Sequence, residues 1–270
     1  MQDNDSIQRV LHQLDRPDHV TTDASKLQVY DSKYNPHCIV NADVTILGVH
    51  PSEYEEVLHD VGVINALQGK VLISVLGGVD SAVLDNTIRG SHHCNEEYNN
   101  DPAAIIRAMP STASSVHESF TLIEDIVAHP LDSHFLQPTA QRRQHAIDLT
   151  KHIFELVGRT RLAPPDAINA GHAIVRSGHA FFAKLVQPAV DALVKQGVKE
   201  QLAMEMAAES MIGTGALVRS GKSPEQVVES VTSPNGSTAQ GLQKMEDRKV
   251  VAGLKRAVSV TASAAADLGR

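Results

Sequence analysis

The segment AGHAIVRSGHAFF, residues 170–182, sets His172 and His179 seven positions apart around a Ser-Gly pair, at the head of an apolar run. Seven residues make two α-helical turns, so the spacing predicts two rings on one helix face. Imidazole titrates near neutral pH and can give and take a proton within one cycle, which makes the pair a candidate general acid and base. Arg176 lies between them with a planar fork suited to a substrate carboxylate, or points to solvent or to a partner chain. The chain holds 14 histidines, so drift into a packed position is the simpler account of any one of them alone. His92, His93, Cys94, Glu96 and Glu97 carry metal-ligand atoms. Adjacent histidines rarely reach one ion, and no second cluster has ligand spacing, so that segment reads as a solvated loop and no metal is expected.

The 270 residues are 42% apolar, enough for one large domain or two modest ones. Aromatics are 3% and Trp is absent, so the core must be aliphatic, which suits close helix packing. The formal net charge of −8, with no block of Lys and Arg, argues against a nucleic-acid groove or an anionic membrane surface. Cys38 and Cys94 make no disulfide framework and fit a reducing compartment. The opening MQDNDSIQRV has no apolar leader, and no apolar run approaches the ~18 residues of a membrane span. A soluble, cytoplasmic protein is expected.

These residues need elements to position them. Apolar positions in DSIQRVLHQL predict a short helix, and HVTTDAS a strand. ADVTILGVHP and GKVLISVLGGV read as buried strands, with a helix over residues 51–67 between them and another over 81–88. AAIIRAMP and SFTLIED are two further strands. Apolar strands alternating with helices predict a parallel sheet covered on both faces. From Thr139 onward the pattern is helical throughout, with Pro188 inside one helix and SPEQVVESV opening another on a capping box. The expectation is a truncated Rossmann-like domain over 1–160, followed by an all-α domain over 161–270.

The stretches ADVTILGVHP, LISVLGGV, IIRAMPSTA, SGHAFF, MAAESMIGTGALV and above all VTSPNGSTAQGL resemble pyrroline-5-carboxylate reductases. The family pattern for the last is V-[ST]-[ST]-P-G-G-[ST]-T-x-x-G-L, from which only Asn235 departs. The resemblance covers roughly residues 40–270. It implies a helical domain that makes a homodimer or a higher oligomer. It also implies a cleft in which the turn of Ser233, Asn235, Gly236, Ser237 and Thr238 holds a substrate carboxylate. If a nucleotide binds, the resemblance puts Gly77, Gly78, His50 and Ser111 beside it.

The departures carry equal weight. The first glycine is Gly48, and no G-x-G-x-x-G follows it, so the Gly-rich cradle for a dinucleotide diphosphate is missing from this sequence. In the family's D-A-x-T-A-L-S-G-S-G-P-A stretch the Thr is here His172, the first Gly Arg176 and the Pro His179, with Ser177 retained; upstream, His50 replaces a Lys and Ser111 an Asn. The leading expectation is therefore nucleotide-independent acid/base chemistry on a small imine or amine, a cyclisation, isomerisation or condensation. His172, His179 and His50 would be its catalytic groups, Arg176, Ser177 and the 233–238 turn would bind substrate, and no cofactor would be needed. One alternative is an NAD(P)H-dependent cyclic-imine reductase. The other is a non-catalytic homologue acting as a dimerisation partner.

Overall fold

The computed structural model describes residues 28–91, 101–125 and 140–267. The helix expected in residues 5–14, the strand in HVTTDAS and the polar cluster of His92, His93, Cys94, Glu96 and Glu97 lie outside them. The chain forms two compact units, one ending at Arg176 and taking in residues from Ala264 onward, the other Ser177–Ser263. This division falls further along the chain than 160/161, because a fifth strand and the helix after it pack with the sheet.

In the first unit a 3-10 turn, Ser32–Tyr34, leads into α1 (Asn35–Val40) and β1 (Val44–Leu47). The helix expected over 51–67 is two helices, α2 (Tyr54–Leu58) and α3 (Val61–Leu67). Asp60 makes the break: its carboxylate accepts the Val63 N–H at 3.0 Å and caps α3. β2 (Val71–Ser74), α4 (Ser81–Gly90), β3 (Ala104–Met109), a 3-10 turn (Thr112–Val116) and β4 (Ser119–Glu124) follow. Then come α5 (Ala140–Glu155), β5 (Gly158–Ala163) and α6 (Pro165–Val175).

The strand order is β1-β2-β3-β4-β5. β1, β2 and β3 are parallel, with Ile46, Ile73 and Ile106 in one row. The expectation of a wholly parallel sheet is corrected at β4, which runs antiparallel to β3. The connection from Pro110 to Glu118 is too short for a crossover, which takes a dozen or more residues, so the chain can only turn back. β5 corrects the view that no strand follows Thr139. It pairs parallel with β4 through the α5 crossover, but GRTRLA carries two arginines and shows no apolar run to betray it. At Gly158, with φ 151°, a Cβ would lie 2.1 Å from the Ser119 carbonyl oxygen, so only glycine lets β5 start against β4.

Both faces of the sheet are covered, as the alternation predicts. Leu58, Ile64, Leu67, Leu84 and Ile88 from α2–α4 pack with Leu47, Leu72 and Ile105. Ala146, Ile147 and Phe154 of α5 pack with Ile73, Ile106 and Ile123.

The second unit is helical: α7 (Gly178–Lys195), α8 (Glu200–Arg219), α9 (Pro224–Val231), α10 (Ser237–Asp247) and most of α11 (Val250–Asp267). Pro188 lies inside α7, which packs against α8. The capping box of α9 forms as its sequence predicts, the Ser223 Oγ accepting the Gln226 N–H at 3.2 Å while the Gln226 Oε1 accepts the Ser223 N–H at 2.9 Å. Ser223→Ala is expected to lower unfolding free energy by about 1 kcal/mol, to be read from urea unfolding midpoints. α8 buries only Ala203 and leaves Leu202, Met206, Ile212 and Leu217 exposed. No described helix is long and apolar enough to cross a membrane.

Candidate active site at the ends of the parallel strands

α6 determines what can gather at the strand ends. Ile168 and Val175 pack with Met109, Leu122 and Ala163, and between them Gly171 brings the helix onto the sheet. A Cβ on Gly171 would lie 2.8 Å from the Leu122 Cδ1, so a side chain there would push α6 away. One position further along the same spacing runs a polar stripe, Asn169, His172 and Arg176.

Beneath that stripe the sheet changes character. Ile73 and Ile106, paired across β2 and β3, are followed one residue on by Ser74 and Arg107, and Ile123 of β4 is followed by Glu124; all three of these polar residues are buried. Arg107 is only 1% exposed. Its Nη1 donates to the Asp80 carboxylate at 2.5 Å and to the Asn169 side-chain oxygen at 2.6 Å, tying the loop after β2 and α6 to β3. Glu124 accepts from the Ser81 hydroxyl at 2.9 Å. Burial pulls the guanidinium's pKa down, and the charges of Asp80 and Glu124 push it back up. Arginine remains charged under these opposing effects.

His172 and Arg176 reach across to the turn after β2. A Cβ on Gly77 would lie 3.0 Å from both the His172 Nε2 and the Arg176 Nη1, so the glycine leaves the space that these two side-chain ends approach. Gly78 completes the turn in the left-handed region, at φ 80°. The His172 Nδ1 is buried without a hydrogen-bond partner among the described residues. Burial, then the charges of Arg176 and Arg107, lower the pKa of the ring, so His172 is neutral at pH 7.

The other candidates are placed differently. The shared helix face expected for His172 and His179 does not exist: α6 ends at Val175 and a new helix begins at Gly178, leaving His179 exposed in the other unit. Ser177 occupies the N-cap position of α7 without making a side-chain cap. His50, exposed beyond the end of β1, contacts the Ser52 hydroxyl through Nδ1 at 2.8 Å. Ser111 is buried; its N–H donates to the Ser119 Oγ at 3.1 Å, which turns it toward a hydroxyl chain with Thr121 and away from solvent. In the second unit Asn235 sits at φ 61°, a left-handed position that Asn tolerates, and Gly236 is the N-cap of α10. Ser233, Ser237 and Thr238 are exposed, and no side chain caps that helix. No group of three or more His, Cys, Asp or Glu side chains among the described residues has metal-site geometry.

Sequence reasoning gives Arg107, Asp80, Glu124 and Asn169 no part in a site. A charged residue inside the run AIIRAM was the available signal: an arginine in a central strand must find a buried acid.

The model for the pyrroline-5-carboxylate reductase dimerisation domain matches residues 165–268. A pyrroline-5-carboxylate reductase from Lophium arboricola is 34% identical over 229 residues, covering 85% of this chain and 68% of that protein. One from Schizosaccharomyces pombe is 28% identical over 242 residues, covering 90% of this chain and 77% of its own length. In fold, the chain is similar to Plasmodium falciparum pyrroline carboxylate reductase, solved with NADP bound, at a TM-score of 0.71 and 20% identity over 87% of this chain and 80% of that one. Sequence identity at this coverage, joined to the sheet and the helical unit described above, shows that the chain belongs to the pyrroline-5-carboxylate reductase family.

Proposed function

We propose that the chain is a reductase of a five-membered cyclic imine that bears a carboxylate, drawing hydride from NADPH or NADH. The carrying observation is the 34% identity to a protein named as that reductase, over 85% of this chain. It favours the reductase over the nucleotide-independent reading and over the non-catalytic partner.

The strand-end residues fit the nicotinamide end of such a nucleotide. Gly77 carries no side chain, and the groups near its Cβ position are the tips of two side chains that can move. Gly77, Gly78 and His50 would border it; Ser111, facing the interior, would not. No G-x-G-x-x-G occurs in the 270 residues, so these residues supply no Gly-rich diphosphate cradle. When bound, the reduced nicotinamide supplies hydride.

The protein's own part is to orient the imine and provide a proton. Hydride addition to the C=N carbon leaves the ring nitrogen to be protonated. With Nδ1 buried and unpartnered, the neutral His172 ring carries its proton on Nε2, toward the Gly77 turn. In this reading the Nε2 proton passes to the ring nitrogen as a proton from solvent replaces it, so His172 ends as neutral as it began. Within the second unit, the uncapped N-terminus of α10 and the Ser233, Ser237 and Thr238 hydroxyls have by themselves the donors that suit a small anion.

Purified chain mixed with the cyclic imine and either nucleotide should consume nicotinamide absorbance in an imine-dependent way. No consumption with NADPH or with NADH would overturn the reading. The same reading pairs two copies through the helical unit, where Ile212 is 62% exposed in a helix with little buried surface of its own. Ile212→Glu is expected to convert a dimer to monomers at micromolar concentration in sedimentation velocity.

A further inference from the structure

We infer that Arg176 and His172 form an oxyanion site against the Gly77–Gly78 turn, one that takes a carboxylate or a phosphate group. This goes beyond the reductase reading, which needs only a proton from His172.

The inference starts from where charge is balanced and where it is not. The buried Arg107 guanidinium sits with Asp80 and close to Glu124. Arg176 has no ion pair among the described residues, although its guanidinium reaches across from the end of α6 to a turn on another strand. A cation at a helix C-terminus is favourable for the helix by itself, but that needs only proximity to the last carbonyls. It does not explain a guanidinium nitrogen 3.0 Å from where a side chain on Gly77 would begin.

The second group has complementary chemistry. The His172 Nε2 stands at the same distance from the same point. Its Nδ1 is sealed off without a partner, and a proton placed there would be buried without an acceptor, so the neutral ring directs its N–H outward. Guanidinium and imidazole therefore present donors to one place, with no acceptor of their own there among the described residues. Donors alone, one of them a guanidinium that makes no ion pair among the described residues, select an anion with paired oxygens.

The platform is also held in place. Asn169 lies one turn before His172 and is tied to the buried Arg107, while Gly171 and Ile168 seat the same helix on β3 and β4. The site is preorganised on its helix side, and the glycine pair leaves backbone in place of side chains on the other.

Two sources carry such oxygens, the carboxylate of a ring substrate and a phosphate of a nucleotide. The full chain is titrated separately with tetrahydrofuran-2-carboxylate, with its neutral carboxamide as control, and with nicotinamide mononucleotide and inorganic phosphate. Binding is read from the NMR shift of the His172 ring, assigned by comparison with His172→Gln. We expect the carboxylate arm or the phosphate arm to move that resonance, the carboxamide not to, and Arg176→Gln to weaken binding at least about tenfold. Arg176→Lys should recover part of the affinity. Response to the carboxylate alone names the substrate as the source, and response to the phosphates alone names the nucleotide. The inference is overturned if neither anion moves the ring up to tens of millimolar. It is overturned equally if Arg176→Gln binds as tightly as the parent. Arg176 is exposed, so its substitution leaves the fold standing. Loss of imine-dependent nucleotide oxidation with this binding intact would remove the reductase reading and leave the site.

Discussion

Arg107→Met is expected to lower the unfolding free energy by about 3–5 kcal/mol, the range for stranding one partner of a buried ion pair. The methionine would fill much of the arginine's volume, so cavity formation is a minor part of the loss. The larger part is electrostatic. Glu124 would stay 3% exposed with the neighbouring cation gone, and Asn169 would lose the donor to its side-chain oxygen. Asp80 softens the effect, because its side chain is 41% exposed and water can replace the lost guanidinium. We therefore expect a value toward the lower end. Adding Glu124→Gln to Arg107→Met should return part of the stability by removing the charge that had been stranded. Equilibrium urea unfolding of the parent, the single and the double variant checks both statements. A single variant within about 0.5 kcal/mol of the parent would show that the network contributes nothing net.

His172→Leu is expected to reduce the turnover of imine reduction by about 10²–10⁴-fold, the usual worth of a positioned proton donor. The same residue gives the protein a pH dependence of definite sign. Its folded pKa lies below the ordinary 6.5, through burial first and the charges of Arg176 and Arg107 second. Below 6.5 the unfolded chain therefore takes up a proton that the folded site resists. The contribution to stability is complete above 6.5 and is lost as pH falls from there through the folded pKa. Wild type should show a melting temperature that declines over that window, and His172→Leu should flatten the decline. A decline of equal steepness in the variant would assign it to other groups. The groups facing the ring include Arg176 on its own helix and Arg107 on β3, the latter partnered by Asp80 and near Glu124. Neither Arg loses its proton in this range.

Much of the architecture was legible in short windows. The apolar runs of VTIL, VLIS and AIIRAM became the three parallel strands. The Ser223–Gln226 spacing became a capping box, and VTSPNGSTAQGL pointed to the family that the 34% identity then showed. Such signals are local, because helical period, strand burial and helix caps are decided by residues at most a few positions apart.

The reversal of β4 was written only in the length of a loop, and β5 was hidden by its arginines. The separation of His172 from His179 depended on where α6 stops, although their spacing fits a single helix. What the sequence by itself determined was the set of elements, their family and the presence of titratable groups in suggestive segments. Only the tertiary structure decided which groups meet: Arg107 takes its partners from 27 and 62 positions away. The reason is physical. A buried charge must be matched by whatever polar atoms the packing of distant segments brings within hydrogen-bond reach, and no local pattern encodes that choice.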